Sequence, residues 1–312
     1  MIEYNHFWVV MGVRDFMQLR TQKIYVVRDD MEPEEGPYWS AHVDLLIREA
    51  RSLKLNIQET KISETEHISK IEPHDLILYR RTYLGVVRRE FCTQIKGLNG
   101  FVINRTGLKI GNKISFSDFC QKHQIPTPKT WSRESFKNAV DMNHISSDMS
   151  FVIKKSNSAQ GRGIFRAFDI QHCLAQLKDI KKNVVIQEFC EMEKPIYDMR
   201  LMLVGTKFVG AMKRVLYSND PMEFRTNLAL GTSVAKKYTP TEEVLCYAKK
   251  IQQNSALDWV GIDVILHREK HLFLECNTAP GLQGISQVCP KITQKVLRLL
   301  LQRALESQHV SE

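Results

Sequence analysis

Two stretches decide how this chain is read: Val260-Gly261-Ile262-Asp263-Val264-Ile265-Leu266 and Leu272-Phe273-Leu274-Glu275-Cys276-Asn277. Both are apolar, strand-like runs, and the short charged segment between them predicts a hairpin. Each carries a carboxylate where an apolar residue is expected. Side chains alternate across a strand, so Glu275 and Asn277 share a face, and pairing brings Asp263 beside them. Two carboxylates and an amide oxygen at close quarters repel unless a cation sits among them. Hard oxygen donors of this kind suit Mg²⁺, or Mn²⁺ in its place. The charged segment also holds His267 and His271 at i and i+4. It lies in a turn and lacks the E-x-x-H order, so it is not read as a zinc site.

Working outward, Phe151 to Phe165 reads as a strand, a loop with small and glycine residues (157–163) and a second strand. Gln160, Gly161 and Gly163 sit in that loop, where backbone N–H groups can approach phosphate oxygens. Lys154, at the end of the first strand, offers a compact positive charge. The loop is neither a Walker A sequence nor a dinucleotide fingerprint. Further on, Val184-Val185-Ile186 runs into Gln187, Glu188 and Phe189, a strand end able to present backbone groups to a base edge. Asp198 and Arg200 share a strand face and are expected to pair with each other or to serve a ligand.

The 312 residues are 43% hydrophobic and 25% charged, ordinary globular composition with room for two or three domains. No apolar run is long enough to span a membrane, and no signal peptide is read, so a cytoplasmic protein is expected. The seven cysteines form no C-x-x-C pair and are expected to be buried, reduced thiols. A net charge of +9 favours an anionic partner. Arg80, Arg81, Arg88, Arg89 and Lys96 form a basic stretch that is either a solvated face or a docking surface for an acidic peptide or nucleic acid. No nucleic-acid motif or stacking platform accompanies it.

The fold class is α/β (α+β). Strands at 23–29 and 75–81 flank a helix at 40–55, a βαβ pattern over the first hundred residues. A helix ends near His123 before Pro126 and Pro128. Strands dominate beyond Glu188, with a polar loop at 218–240, a helix near 239–257 and a closing helix at 291–306. Three domains are expected: 1–108, 109–187 with the glycine loop, and 188–312 with the acidic hairpin.

In order along the chain, FVIKKSNSAQGRGI, VVIQEFCE, DMRLMLVG, FRTNL and VGIDVIL with LFLECNTAPGLQGI resemble the ATP-grasp superfamily, within it the RimK-type α-L-glutamate ligases. A weaker similarity is to tubulin–tyrosine-ligase-like enzymes. The resemblance covers about residues 100–290. It implies an ATP-grasp fold preceded by a pre-ATP-grasp domain, and a carboxylate–amine ligase working through an acyl phosphate. It implies ATP as cofactor with two Mg²⁺ (or Mn²⁺) ions held by Asp263, Glu275 and Asn277. Lys113 and Lys154 would contact the nucleotide, Glu188 and Phe189 the adenine, and Asp198 the ribose side. Arg225 and Asn227 would face the reacting phosphate, with Arg200 or Arg214 assisting. A carboxylate and an amine are the implied substrates, glutamate and an acidic tail among the candidates, and a homo-oligomer is compatible with it. The sequence departs from the family after FRTNL, where Ala229-Leu230-Gly231-Thr232 replaces a His-Arg-Gly-Gly-like stretch. That loss of a guanidinium points to one alternative, a phosphotransferase without ligation; a second alternative, a non-catalytic nucleotide-binding regulator, is countered by the presence of all three metal-ligand candidates.

Overall fold

The computed structural model describes residues 22–28, 38–61, 71–80, 98–105, 108–155, 161, 163–180 and 183–307. The chain divides into two compact units, Met1–Arg105 with Lys291–Glu312, and Thr106–Pro290. Among the described residues no helix is long and apolar enough to cross a membrane.

In the first unit, β1 (Lys23–Arg28), α1 (Tyr38–Ser52), β2 (Asn56–Lys61), β3 (Leu76–Arg80) and the short β4 (Phe101–Val102) build a parallel sheet in the order β2-β1-β3-β4. The βαβ pattern is therefore present, with β1 and β2 joined in parallel across α1. The central strands β1 and β3 carry Ile24, Val26, Leu76 and Ile77, all fully buried, because a parallel sheet is covered on both faces. The sequence of β2, NIQETK, gave no strand signal: it lies at the edge and buries only Thr60. The helix Ile292–Glu306 also belongs to this unit, where Gln294 Nε2 donates to Glu49 Oε2 of α1 (2.9 Å). Apart from Arg80, the basic stretch at 80–96 lies outside the described residues.

The second unit contains two antiparallel sheets. After α2 (Lys113–Lys122) come β5 (Thr130–Ser132), α3 (Arg133–Asp141), β6 (Phe151–Lys155), β7 (Ile164–Ala167), α4 (Ile170–Asp179) and β8 (Val184–Glu188). Their strands are ordered β5-β8-β6-β7. The sequence reading contained no helix at α3. It is started by a capping box between Ser132 and Ser135 and buries only Phe136. One face of this sheet packs Phe151, Ile153, Ala167, Val184 and Ile186 with Phe136 of α3 and Cys173 and Leu177 of α4. The period-2 rule therefore sends Val152 and Lys154 to the other face.

The second sheet follows: β9 (Tyr197–Val204), β10 (Lys207–Leu216), β11 (Ser233–Lys237), β12 (Trp259–His267) and β13 (Lys270–Asn277), ordered β11-β10-β9-β12-β13. The strand β11 lies inside the segment read as a polar loop. α5 (Glu242–Ser255), capped by Thr241, and α2 cover one face through Met199, Leu201, Leu203, Ile262 and Val264. Alternation then places Asp198, Arg200 and Asp263 together on the opposite face.

Of the six described cysteines, Cys120, Cys173, Cys190 and Cys276 are buried, but Cys246 is exposed on α5 and Cys289 half-buried. The expectation of uniformly buried thiols thus fails at Cys246, which lies on the solvent side of an amphipathic helix. Burial pushes the Cys120 and Cys173 thiols up to about 12, which keeps them protonated.

Phe136 meets Phe151 edge-on (centroids 5.1 Å apart) and Trp131 likewise (5.9 Å). Phe136→Ala should lower stability by about 3–5 kcal/mol, checked by the shift of a urea unfolding curve.

Candidate active site

The uncovered faces of the two sheets in the second unit border one cleft. Val152, Lys154, Ile164 and Gln187 come from the first sheet; Asp198, Arg214, Asp263, Leu274 and Glu275 come from the second. Lys113, Glu188, Phe189, Gly161, Arg225 and Asn227 complete much of the rim.

The hairpin forms as its sequence suggests. β12 pairs antiparallel with β13, with Asp263 opposite Glu275 and Gly261 opposite Asn277. The turn residues Arg268 and Glu269 both have positive φ, matching the left-handed two-residue turn such a hairpin favours. A register shift after Asp263 leaves Leu274 without an opposite number on β12. This bulge brings both Leu274 and Glu275, consecutive residues, to the cleft. Asn277 stays beside Glu275, its Nδ2 donating to Glu275 Oε1 (3.4 Å).

The carboxylates are met by protein cations. Arg200 on β9 faces Asp263 across the sheet and donates to both its oxygens (2.7 Å each). Arg214 on β10 donates to both oxygens of Asp198 and also to Asp263 Oδ2 (3.0 Å). Lys113 Nζ lies 2.9 Å from Glu275 Oε2. Arg200, Arg214 and Lys113 thus partner these acids, contacts that the sequence argument, which invoked only a cation among them, did not include. Asp198 and Arg200 share a face but do not pair with each other, because each finds its partner on a neighbouring strand. Asp198, Arg214 and Asp263 are 6%, 4% and 3% exposed, so their charges depend on one another. Burial pulls the Arg214 pKa down, but the two adjacent carboxylates raise it further than burial lowers it. Burial likewise opposes ionisation of Glu275, yet Lys113 and Lys154 hold its pKa well below the usual carboxylate range.

Lys154 Nζ donates to Gln187 Oε1 (2.6 Å). Burial, reinforced by Lys113, brings its pKa down to about 8 against the opposite pull of Glu275 and Asp263. The backbone N–H groups of Glu188 and Phe189 are already donated to Lys129 O and Ser150 O (2.8 Å each). Any base edge must therefore use their carbonyls or the segment that follows. The Phe189 ring is stacked by the Arg166 guanidinium at 3.9 Å and met edge-on by Phe224 at 5.4 Å. Arg225 is held by both oxygens of Glu223 (2.8 and 2.5 Å) and reaches Gly161 O (3.3 Å). Gly161 has φ +78, and a Cβ there would lie 2.7 Å from Asn227 Oδ1, so glycine is needed for this approach. Gly163 also has positive φ but is not on the cleft wall, and Gln160 lies outside the described residues.

The structure thus gathers Lys113, Lys154, Gly161, Glu188, Phe189, Asp198, Arg225, Asn227, Asp263 and Glu275 at one cleft, with Arg200 and Asn277 directly behind it. Sequence reasoning missed the Gln187 side chain as the partner of Lys154, and the apolar walls Val152, Ile164, Met192 and Leu274. A glutamine inside the apolar strand Val184–Glu188 was the available signal for the first. Arg214→Met should cost about 3–5 kcal/mol by leaving Asp198 and half of the Asp263 demand uncompensated. Arg214→Lys, which keeps the charge, should cost less. Denaturant unfolding of both variants checks the order.

A RimK-like ATP-grasp domain model matches residues 111–300. A Legionella pneumophila (strain Corby) protein named "Probable alpha-L-glutamate ligase" is 31% identical over 167 residues, 52% of this chain and 53% of the relative. The chain therefore matches about half the length of that relative. The coenzyme gamma-F420-2:alpha-L-glutamate ligase of Methanocaldococcus jannaschii is 28% identical over 237 residues, 73% of this chain and 77% of that one. Among solved structures, D-alanine–D-alanine ligase from Bacillus anthracis superposes with TM-score 0.68 at 12% identity, covering 93% of this chain and all of the other. The ATP-grasp ligase PsnB, complexed with a phosphomimetic precursor variant, Mg and ADP, gives TM-score 0.64 at 14% identity over 90% of this chain and 98% of its own. At such identities the structures speak for the fold, which is ATP-grasp. Because the family match spans more than half of the sequence, this chain belongs to the RimK-like ATP-grasp family.

Proposed function

We propose that the protein is an ATP-dependent carboxylate–amine ligase that forms an amide bond through an acyl phosphate. The observation that carries this reading is the charge arrangement in the cleft. Five cations, Lys113, Lys154, Lys155, Arg214 and Arg225, line it beside four carboxylates, Glu188, Asp198, Asp263 and Glu275, with Arg200 behind Asp263. A positive excess backed by a carboxylate pair suits a polyphosphate that arrives with a divalent ion. The family match and the relatives named as glutamate ligases point the same way.

The donor set of Asp263, Glu275 and Asn277 fits Mg²⁺: two carboxylates and one amide oxygen, all hard ligands on neighbouring positions of one hairpin. When bound, the ion would supply charge neutralisation to the phosphates. Lys113 would exchange Glu275 for a phosphate oxygen, and Lys154, on its Gln187 tether, would face the same polyanion. The adenine would lie against the apolar walls Val152, Ile164, Met192 and Leu274, with Phe189 fixed by Arg166 and Phe224. An acceptor carboxylate oxygen would attack the γ-phosphorus, releasing ADP and leaving the acyl phosphate. Arg225, held in a fork by Glu223, would donate to that anion, with Asn227 beside it. The amine nitrogen then attacks the acyl carbon, and inorganic phosphate departs. Arg225 donates to Gly161 O, and Gly161 leaves no room for a Cβ beside Asn227, so both phosphate-facing groups depend on a glycine at this position. Glutamate is the amine we favour, and a carboxylate-bearing peptide or small molecule the acceptor.

The direct test measures ADP and phosphate release with Mg²⁺-ATP against a matrix of amino acids and carboxylate acceptors. Release that requires one of each, and that falls at least about a hundredfold in Glu275→Gln, is the expected result. Turnover on a single acceptor with no amine would instead make it a phosphotransferase. Lys154 gives a second prediction. With a free-state pKa near 8, it is partly deprotonated at that pH, and a bound polyanion raises its pKa. Nucleotide binding near pH 8 should therefore take up protons, and the uptake should vanish at lower pH, where Lys154 is already charged. Calorimetric titrations in buffers of different ionisation enthalpy read this directly, and Lys154→Met should abolish it.

A further inference from the structure

On β10 and β11, Lys213 stands directly opposite Lys236, and Met212 opposite Lys237. Like charges facing each other across an antiparallel pair are destabilising. Lysine on an edge strand has an ordinary explanation, since it discourages pairing with other chains. That accounts for Lys236 and Lys237 on β11, the last strand of the sheet order, but not for Lys213, which sits on the inner strand β10. Among the described residues none of the three forms an ion pair with an acid. Aromatic faces hold two of them instead. Lys213 Nζ lies 4.1 Å from the Tyr197 ring centroid and 5.2 Å from that of Tyr238, and Lys236 Nζ lies 5.3 Å from that of Tyr217. Beside them Tyr217 and Val234 are 56% and 52% exposed. Among the described residues β11 pairs only with β10, so its outer row of N–H and C=O groups faces no other strand.

We propose that this edge docks an extended acidic peptide segment, which adds to β11 as a further strand and places its carboxylates on Lys213, Lys236 and Lys237. Three features favour a peptide over other polyanions. A free strand edge offers main-chain hydrogen bonds that only another backbone can complete. Val234 and Tyr217 lie on the sheet face that carries Lys213 and Lys236 and give that side of the segment an apolar seat beside the lysines. β11 also begins just after the turn Leu228–Leu230, whose preceding residue Asn227 lines the cleft, so a segment paired along the edge runs toward the reacting site. The inference deepens the ligase reading by giving its acceptor a peptide class, but the docking itself is measurable without turnover.

The test is fluorescence anisotropy of a labelled short oligoglutamate peptide with the full chain, compared with the double variant Lys213→Gln/Lys236→Gln. The expected result is salt-sensitive binding that weakens at least about tenfold in the variant. Nucleotide affinity should be unchanged, and the unfolding midpoint should stay close to that of the wild type, the lost repulsion offsetting the lost contacts with Tyr197, Tyr238 and Tyr217. Lys213→Arg/Lys236→Arg should retain binding. An oligoglutamate N-methylated at alternate amides should bind much more weakly, because it cannot pair with the edge. Equal peptide affinity in wild type and the glutamine variant, or no peptide binding at all, overturns the proposal. So does a preference for phosphatidylserine vesicles or single-stranded RNA that the same variant abolishes. Loss of ATP turnover with docking intact would count against the ligase reading alone.

Discussion

The forked contacts that run Arg200–Asp263–Arg214–Asp198 across three strands are the constraint on which the second unit depends. Each member sits in a strand whose other face is apolar and packed under α2 and α5. The acids and guanidiniums cannot turn away without exposing that packing. They also cannot stand alone: a buried carboxylate without its guanidinium would be strongly unfavourable. The ladder thus pins β10, β9 and β12 in one register and fixes where Asp263 meets Glu275. Polar residues on the cleft face are tolerated because every charge has a forked or near partner.

The charges around Glu275 are balanced in the same reciprocal way. Lys113 and Lys154 lower the pKa of Glu275, while Glu275 and Asp263 limit how far burial lowers that of Lys154. Such a set is poised for exchange. A magnesium–polyphosphate brings both a cation for the acids and an anion for the lysines, so partners are swapped without stranding a charge. The contact of Arg225 with Gly161 extends this logic to that glycine, which lies against groups that would face the γ-phosphate.

Much of this was legible in the sequence for specific reasons. Asp263 and Glu275 interrupt apolar strands, and alternation alone predicts that Glu275 and Asn277 share a face. The apolar runs of β1 and β3 announced themselves because both faces of that parallel sheet are covered, and those of β6 and β8 because Val152 and Val185 stay buried even on the face turned to the cleft. What escaped was written in weaker signals. β2 and β11 are edge strands of polar composition, and α3 buries one side chain. The bulge at Leu274 leaves no mark on composition, yet it brings two consecutive residues into the cleft. The pairing of Arg200 with Asp263 rather than Asp198 depends on cross-strand register, which one sequence does not contain. That the acids would be neutralised by arginine and lysine, rather than only by a metal, was invisible for the same reason.

The account stands or falls on whether the acidic hairpin receives the divalent ion that accompanies the nucleotide. The most direct measurement is calorimetric ATP affinity with excess Mg²⁺ and with EDTA, for wild type and for Glu275→Gln. The account predicts that Mg²⁺ tightens binding in the wild type, and that the variant keeps its metal-free affinity but loses most of that gain. An equal Mg²⁺ dependence in both proteins would contradict it and would leave Glu275 as a structural partner of Lys113.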